Sequence, residues 1–205
     1  LELRPDDLRA TIESAVEQAM PTAERRGIAL DGDLPDRPLR ISHDAPRIGQ
    51  VVTNLVGNAL KFTGRGGRVE VVARPDGEAG ARIEVRDTGV GIDATELPHV
   101  FDRFYRGSSA NEARGTGSGL GLAIVKSIVD MHHGTIEVES RIGRGSRFVV
   151  VLPRDPRRED ATGGSGVEHG RAGGAEARPG DGAARAKVAD SSPPAPSAVN
   201  PDAAP

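Results

Sequence analysis

The sequence contains no cysteine, which excludes disulfide staples, thiolate catalysis and cysteine-ligated metal sites. Aromatic side chains are scarce, with 4 Phe, 1 Tyr and no Trp, so a core must be built mostly from Val, Ile, Leu and Ala. No stretch approaches the roughly 18 apolar residues of a membrane span, and no charged-then-apolar signal segment opens the chain. Charge of one sign is lacking too. The balance of 27 basic against 30 acidic side chains, −3 overall, removes the cationic surface that wholesale binding to nucleic acid requires. The first residue is Leu1 rather than Met, and the sequence is expected to be a piece of something longer.

What is present divides near Pro153. Residues 155–205 hold 8 Gly, 7 Pro and 12 Ala, or 27 of 51, and no Leu, Ile, Met, Phe, Tyr or Trp. Such a segment buries too little apolar surface to offset roughly 1–2 kcal/mol of backbone entropy per residue. Its charges are mixed, 6 basic and 8 acidic, so it is no obvious polybasic anchor. Residues 155–205 are therefore expected to be a disordered Ala/Gly/Pro-rich tail or linker.

Residues 1–154 alternate between two hydrophobic periods. Leu8, Ile12, Ala15, Val16 and Ala19 fall at helical spacing within residues 6–26, and Pro21 predicts a kink or restart. Short extended pieces follow at 28–30 and 39–42. Residues 46–62 form a second amphipathic pattern, with Pro46 suited to a first helical turn. The β-branched runs 68–73, 82–86, 135–140 and 147–152 read as strands, and 119–131 as a third helix stopped by Gly134. The pairs 68–73/82–86 and 135–140/147–152 are close enough in sequence for hairpins. The expected architecture is an α/β (α+β) two-layer sandwich: a mixed, largely antiparallel sheet with three main helices on one face.

Four segments carry chemistry. In RIGQVVTNLVGNALKF, the residues Ile48, Val51, Val52, Leu55, Val56 and Ala59 form one apolar face. Arg47, Gln50, Asn54, Asn58 and Lys61 form a narrow polar stripe opposite. Two mid-helix asparagines are poor helix formers, which favours a use beyond solvation. A carboxamide oxygen is a hard ligand suited to Mg²⁺, and Lys61 one turn on suits a phosphate. In Asp87-Thr88-Gly89-Val90-Gly91-Ile92, the glycines permit a tight turn, and a carboxylate at a strand end can accept from an exocyclic amine. In Gly115-Thr116-Gly117-Ser118-Gly119-Leu120-Gly121-Leu122, glycines run into an apolar helix whose first N–H groups suit an anion. Its spacing is neither GxGxxG nor GxxxxGK[ST], which excludes a dinucleotide fingerprint and a P-loop. The fourth segment, Gly143-Arg144-Gly145-Ser146-Arg147-Phe148, reads by itself as a hairpin turn.

The order of these segments, with Phe101-Asp102-Arg103-Phe104-Tyr105-Arg106 between the second and third, resembles the catalytic ATP-binding domain of bacterial sensor histidine kinases. The match covers about residues 40–152. The resemblance implies a Bergerat-type fold, with a sheet of about five strands and ATP held between helices and a lid. It implies that residues 1–40 hold the lead-in from a dimerisation helix plus the first helix and strand, and that 41–154 form the ATP-binding core. It also implies roles: Asn58 as magnesium ligand with Asn54 as polar support, Lys61 on the phosphates, and Phe62 beside the base. Asp87 would take the adenine amine, with Gly89 and Gly91 letting the backbone come close to the ligand and Ile92 beside them. Residues 101–106 would hinge a lid running to about Gly115. Gly117, Ser118, Gly119, Leu120, Gly121 and Leu122 would wrap the triphosphate. Ser146 would join the adenine side, and Arg103, Arg106 and Arg114 would be candidates for the γ-phosphate.

The implied reaction is γ-phosphoryl transfer from Mg-ATP to a histidine, within two-component signal transduction. None of His43, His99, His132, His133 or His169 has the setting of the family's phosphoacceptor, His132-His133 being simply the end of the third helix, so that residue is expected upstream of Leu1. The chain alone is then expected not to autophosphorylate. Implied partners are its own upstream dimerisation domain, a response-regulator receiver domain and a second copy in a homodimer. A cytoplasmic location is implied, with no nucleic acid and no membrane contact from this segment, and the full-length parent is expected to be anchored in the cell membrane. Two alternatives stay open: an ATP-binding regulatory module without transfer, and another relation within the fold such as an anti-sigma-type Ser/Thr kinase. Members that hydrolyse ATP carry Glu where this chain has Asn54, and a neutral carboxamide is no general base.

Overall fold

The computed structural model describes residues 1–77, 80–107 and 118–157, together with the backbone of 184–188. Strand β1 (Arg4–Asp7) precedes helix α1 (Leu8–Arg26), and β2 (Ala29–Asp33) and β3 (Arg40–His43) lead to α2 (Ala45–Phe62). The hairpin of β4 (Arg68–Asp76) and β5 (Gly80–Asp87) follows, then a 3-10 turn at Leu97–His99. Helix α3 (Gly121–Met131), the hairpin of β6 (Thr135–Arg141) and β7 (Gly145–Pro153), and β8 (Ala184–Val188) complete the described elements. The main sheet has the order β2-β4-β5-β7-β6-β8, parallel at its two outer pairs and antiparallel elsewhere. β1 and β3 form a separate antiparallel ribbon. Both expected hairpins and the mixed sheet are present, with helices packed on one face.

Four boundaries or assignments differ from the sequence reading, each for a physical reason. The lead-in at Arg4–Asp7 is a strand rather than the end of a helix, because its backbone pairs with β3 from Arg4↔His43 to Asp7↔Arg40. Helix α1 runs unbroken through Pro21 to Gly27, whose φ of 65° closes it. Its buried stripe of Leu8, Ile12, Ala15, Val16 and Ala23 spans that proline, so packing on α2 outweighs the local loss of one hydrogen bond. Helix α3 starts at Gly121 rather than Gly119. Finally, Ala184–Val188 forms a strand beside β6 within the segment expected to lack structure. The rest of that segment beyond residue 157 lies outside the described residues.

Period-two alternation sorts the sheet into two faces. Val69, Val71, Ala81, Ile83, Val85, Val138, Phe148 and Val150 point at the helices and are buried. They meet Ile48, Val51, Val52, Leu55, Val56, Ala59 and Leu60 of α2, which lies between α1 and α3. Each Val, Ile, Leu or Phe among them contributes about 1.5–3 kcal/mol by leaving water. The opposite face is charged. Arg147 grips Glu84 with two bonds of 2.8 and 2.9 Å, and Arg86 adds one of 2.6 Å. These arginines hold the Glu84 carboxyl down to about 2 against the burial that would raise it. Among the described residues, no helix is long and apolar enough to cross a membrane.

A second polar cluster is buried between the helices. The sequence reading takes His132 as only the end of α3, but its ring is buried. Nδ1–H donates to the Ile128 carbonyl at 2.8 Å, so Nε2 is unprotonated and accepts the Asp44 N–H at 3.1 Å. Asp44 in turn caps α2 through Arg47 N–H and accepts from Glu2 N–H of the lead-in. Beside it, His43 lies between Thr11 and the Ile41 carbonyl. Burial holds the His132 pKa below its ordinary value, against the opposing pull of the Ile128 carbonyl and Asp44. Because the folded value is the lower one, the unfolded chain binds more protons between the two. The His132 contribution is then full above about pH 6.5 and is lost as pH falls toward the folded value. We expect the urea midpoint to drop between about pH 7.5 and pH 5, and His132→Gln, which cannot titrate, to flatten that drop. An equally steep drop in the variant would rule His132 out as its cause.

Candidate functional site

A cavity of about 410 Å³ opens between α2, the turn after β5, the start of α3 and the start of β7. Helix α2 lends Asn58, Ala59, Lys61 and Phe62 to its wall. Asp87, Gly91 and Ile92 come from the β5 turn, Ser118, Gly119, Gly121 and Leu122 from the start of α3, and Ser146 and Phe148 from β7. Glu96, Val100, Tyr105, Arg106 and Gly107 close the remaining side. Residues from five separate sequence segments therefore share one space.

Backbone packing fixes the β5 turn. Gly91 has a φ of 74°, and a side-chain carbon there would stand 2.1 Å from the Arg141 carbonyl oxygen. Gly145 has a φ of 87°, and its added carbon would stand 1.9 Å from the Asp87 carbonyl oxygen. Neither position admits another residue without moving the chain. The turn is also tied to α2 by Val90 N–H on the Phe62 carbonyl at 3.2 Å, and to the β6–β7 turn by Gly143 N–H on the Val90 carbonyl at 2.8 Å. Asp87 projects from this frame into the cavity wall. Its Oδ1 accepts Gly89 N–H at 2.8 Å and Ser146 N–H at 3.3 Å. Burial raises the pKa of this carboxyl, while the two N–H donors oppose the rise.

The other end of the cavity meets the start of α3. Asp7 and Asp44 cap α1 and α2 with their side chains, but α3 begins at Leu120 with no side-chain cap. Its first N–H groups and the local dipole are then available to an anion. Gly121 faces the asparagines of α2: a side-chain carbon there would lie 3.3 Å from Asn54 Oδ1 and 4.0 Å from Asn58 Nδ2. Lys61 Nζ sits 5.0 Å from the centre of the Phe62 ring. Phe104 N–H bonds the Gly119 carbonyl at 2.9 Å, which brings the chain before residue 108 against the chain after residue 117. Phe104 adopts a left-handed φ of 65° there.

Twelve of the expected site residues line the cavity: Asn58, Lys61, Phe62, Asp87, Gly91, Ile92, Arg106, Ser118, Gly119, Gly121, Leu122 and Ser146. The others are placed differently. Asn54 lies behind Gly121, with its Nδ2 donating to the Gln50 carbonyl at 2.9 Å. Gly89 packs on the Phe62 carbonyl, so its missing side chain admits protein backbone rather than a ligand. Leu120 caps α3 without reaching the cavity wall. Arg103 faces a separate depression with Phe101, Lys126, Asp130 and Met131. Gly117, Arg114 and the expected lid beyond Gly107 lie outside the described residues. The sequence reading does not name Glu96, Val100 or Gly107; it gives Ala59 only as part of an apolar face, Tyr105 only as part of the 101–106 hinge and Phe148 only as part of a turn. The alternation of β7 was the one available signal for Phe148, since it places that ring on the helix side.

Residues 43–156, more than half of the chain, match the family model described as histidine kinase-, DNA gyrase B-, and HSP90-like ATPase. The histidine protein kinase DivJ of Caulobacter vibrioides is 39% identical over 148 residues, covering 72% of this chain and 24% of that protein. The sensor histidine kinase RppB of Synechocystis is 35% identical over 146 residues, covering 71% of this chain and 32% of its own. The chain thus spans a quarter to a third of the length of these curated relatives. Among solved structures, the catalytic domain of histidine kinase ThkA aligns with a TM-score of 0.67 at 27% identity, covering 76% of this chain and all of that one. The mycobacterial sensor histidine kinase MprB aligns at 0.63 and 31%, covering 75% of this chain and 99% of that one. The chain belongs to the histidine kinase-, DNA gyrase B-, and HSP90-like ATPase family.

Proposed function

We propose that this chain is the ATP-binding catalytic domain of a sensor histidine kinase. In this reading it binds Mg-ATP and presents the γ-phosphoryl group to a histidine on an upstream dimerisation domain. The observation that carries it is the meeting of Asn58, Asp87 and the Gly119–Gly121 backbone in one cavity of about 410 Å³. An acceptor carboxylate stands at one end of that space and an uncapped helix start at the other, and Lys61 lines its wall. That polarity suits a ligand with an amine at one end and a polyanion at the other.

The donor set fits a magnesium ion that is held chiefly by phosphate. Among the described residues no group of three His, Asp or Glu side chains could hold a metal, while a carboxamide beside a phosphate site suits an ion that keeps its waters. Asn58 would hold it, and the ion would supply neutralisation of phosphate charge. Lys61 and the α3 N–H groups would fix the triphosphate, and Asp87 the base. Phosphoryl transfer asks mainly for such positioning and charge balance. The bond from phosphorus to the β,γ-bridging oxygen breaks, a bond to the imidazole nitrogen forms, the imidazole loses its proton, and ADP leaves. Asn54 supports transfer over hydrolysis, because a neutral amide bonded to its own helix cannot activate water. A receiver-domain partner, a homodimeric parent and a cytoplasmic location belong to the same reading.

Mixing the chain with an acceptor-helix domain and labelled ATP tests the whole proposal: acid-labile phosphate on histidine is expected. Tight binding without transfer would favour a regulatory ATP-binding module instead. Asn58→Ala should lower Mg-dependent ATP affinity by about tenfold or more while leaving the melting temperature nearly unchanged, since a half-buried polar truncation costs little. Equal affinity for Mg-ATP in that variant would refute the metal role. Asp87→Asn should weaken the preference for ATP over GTP in displacement of a fluorescent analogue. The raised pKa of Asp87 adds a sign: ATP affinity should begin to fall at a pH above the ordinary carboxylate range, and Asp87→Asn should abolish that fall. A parent whose affinity holds down to about pH 4 would contradict the assignment.

A further inference from the structure

Beneath the Asp87 end of the cavity sits a side chain that the proposed function does not use. The inward positions of β6 are Ile136, Val138 and then Ser140, so a hydroxyl occupies the third place in an apolar row. Ser140 is only 4% exposed, and a buried hydroxyl is costly unless its bonding is satisfied. Its oxygen accepts Ile92 N–H at 2.8 Å, and its proton goes to the Gly145 carbonyl at 2.9 Å. Ser146 Oγ stands 3.0 Å away.

A hydroxyl has one proton. With the Ser140 proton committed to Gly145, the bond between the two serines must take its hydrogen from Ser146. Ser146 lines the cavity, and it then offers that space lone pairs only. Asp87, joined to the same residue through Ser146 N–H, is likewise an acceptor when ionised. We infer that Ser140 is a positioning residue that sets the hydrogen-bond polarity of the base end, directing Ser146 Oγ to act as an acceptor beside Asp87, so that the cavity selects a base edge carrying an exocyclic amine.

This inference rests on the ATP-binding reading and deepens it by naming what sets base preference. Adenine presents amine hydrogens to two acceptors. Hypoxanthine presents a keto oxygen at the corresponding position, so lone pairs face lone pairs there, and its N1–H donor stands one atom further along the edge. Mismatch of this kind is penalised more strongly than a change of size. A purely structural Ser140, tying Ile92 to Gly145, would affect both nucleotides alike. The ratio of affinities therefore separates the two roles.

The test is displacement of a fluorescent ATP analogue from the chain by ATP and by ITP, with magnesium present. We expect the parent to prefer ATP by about tenfold or more, and Ser140→Ala to narrow that ratio by about threefold or more while Asp87 keeps the remainder. Ser146→Ala should do the same, and the double variant should go no further, because Ser140 acts through Ser146. Ser140→Cys, a weak donor and acceptor of similar size, replaces Ser140→Ala if the alanine protein does not fold. A folded Ser140 variant that keeps the parent's ratio, or loses both affinities in proportion, overturns the inference and leaves the ATP reading standing. So does a parent that binds ATP and ITP equally. A parent that binds neither nucleotide overturns the ATP reading itself.

Discussion

The site depends on the direct packing of the turn after β5 against two neighbouring backbones. Gly91 lies on the Arg141 carbonyl and Gly145 on the Asp87 carbonyl, at distances that leave no room for a side-chain carbon. These contacts place the end of β5 between the last turn of α2 and the β6–β7 turn. Asp87 consequently projects from a rigid frame, and its Oδ1 takes two backbone N–H groups rather than a mobile side-chain donor. A carboxylate held this way needs no further ordering when a ligand arrives, which is where preorganised sites gain over flexible ones.

The same sheet separates structural charge from functional charge. On the face away from the helices, Glu84 is surrounded by arginines and bonded to saturation, so its charge is committed to holding β5 and β7 together. On the helix face the alternate residues are apolar until the strands reach the cavity, where Asp87, Ser140 and Ser146 appear. The helices follow a parallel division. Two start under aspartate caps that satisfy their N–H groups internally, while α3 starts beneath the cavity with no side-chain cap. Among the described α-helices, the one N-terminus left without a side-chain cap is the one that meets the cavity.

Much of this was legible in the sequence because its signals are local. The polar stripe of α2, the glycines of the β5 turn and the glycine run before α3 are each defined by near neighbours in the chain, and their segments converge. What was not legible depends on distant contacts. Glu96, Val100 and Tyr105 lie in an irregular stretch with no period, so nothing local says which side they face. Arg103 was assigned with Arg106, yet it faces a different depression, since an irregular segment sets no common direction for side chains three apart. Gly89 was read as approaching a ligand, because a sequence cannot say whose backbone comes close. His132 was missed as a buried hydrogen-bonding group, since its partner Asp44 is 88 positions away. β1 and β8 have weak strand composition and owe their assignment to pairing with β3 and β6.

The asparagines of α2 show how close spacing can conceal a division of labour. Asn54 and Asn58 are one helical turn apart on the same stripe, and both approach Gly121. Only Asn58 reaches the cavity wall; Asn54 returns its amide to the Gln50 carbonyl and keeps its oxygen toward α3. A glutamate at position 54 would bring a charge to the junction of two helices, beside an uncapped N-terminus that favours anions, and would compete with phosphate for the same N–H groups. The neutral amide leaves that positive end to the ligand. In the proposed reading such a site would orient a triphosphate while supplying no base at this position, and the nucleophile and its deprotonation would come from another surface.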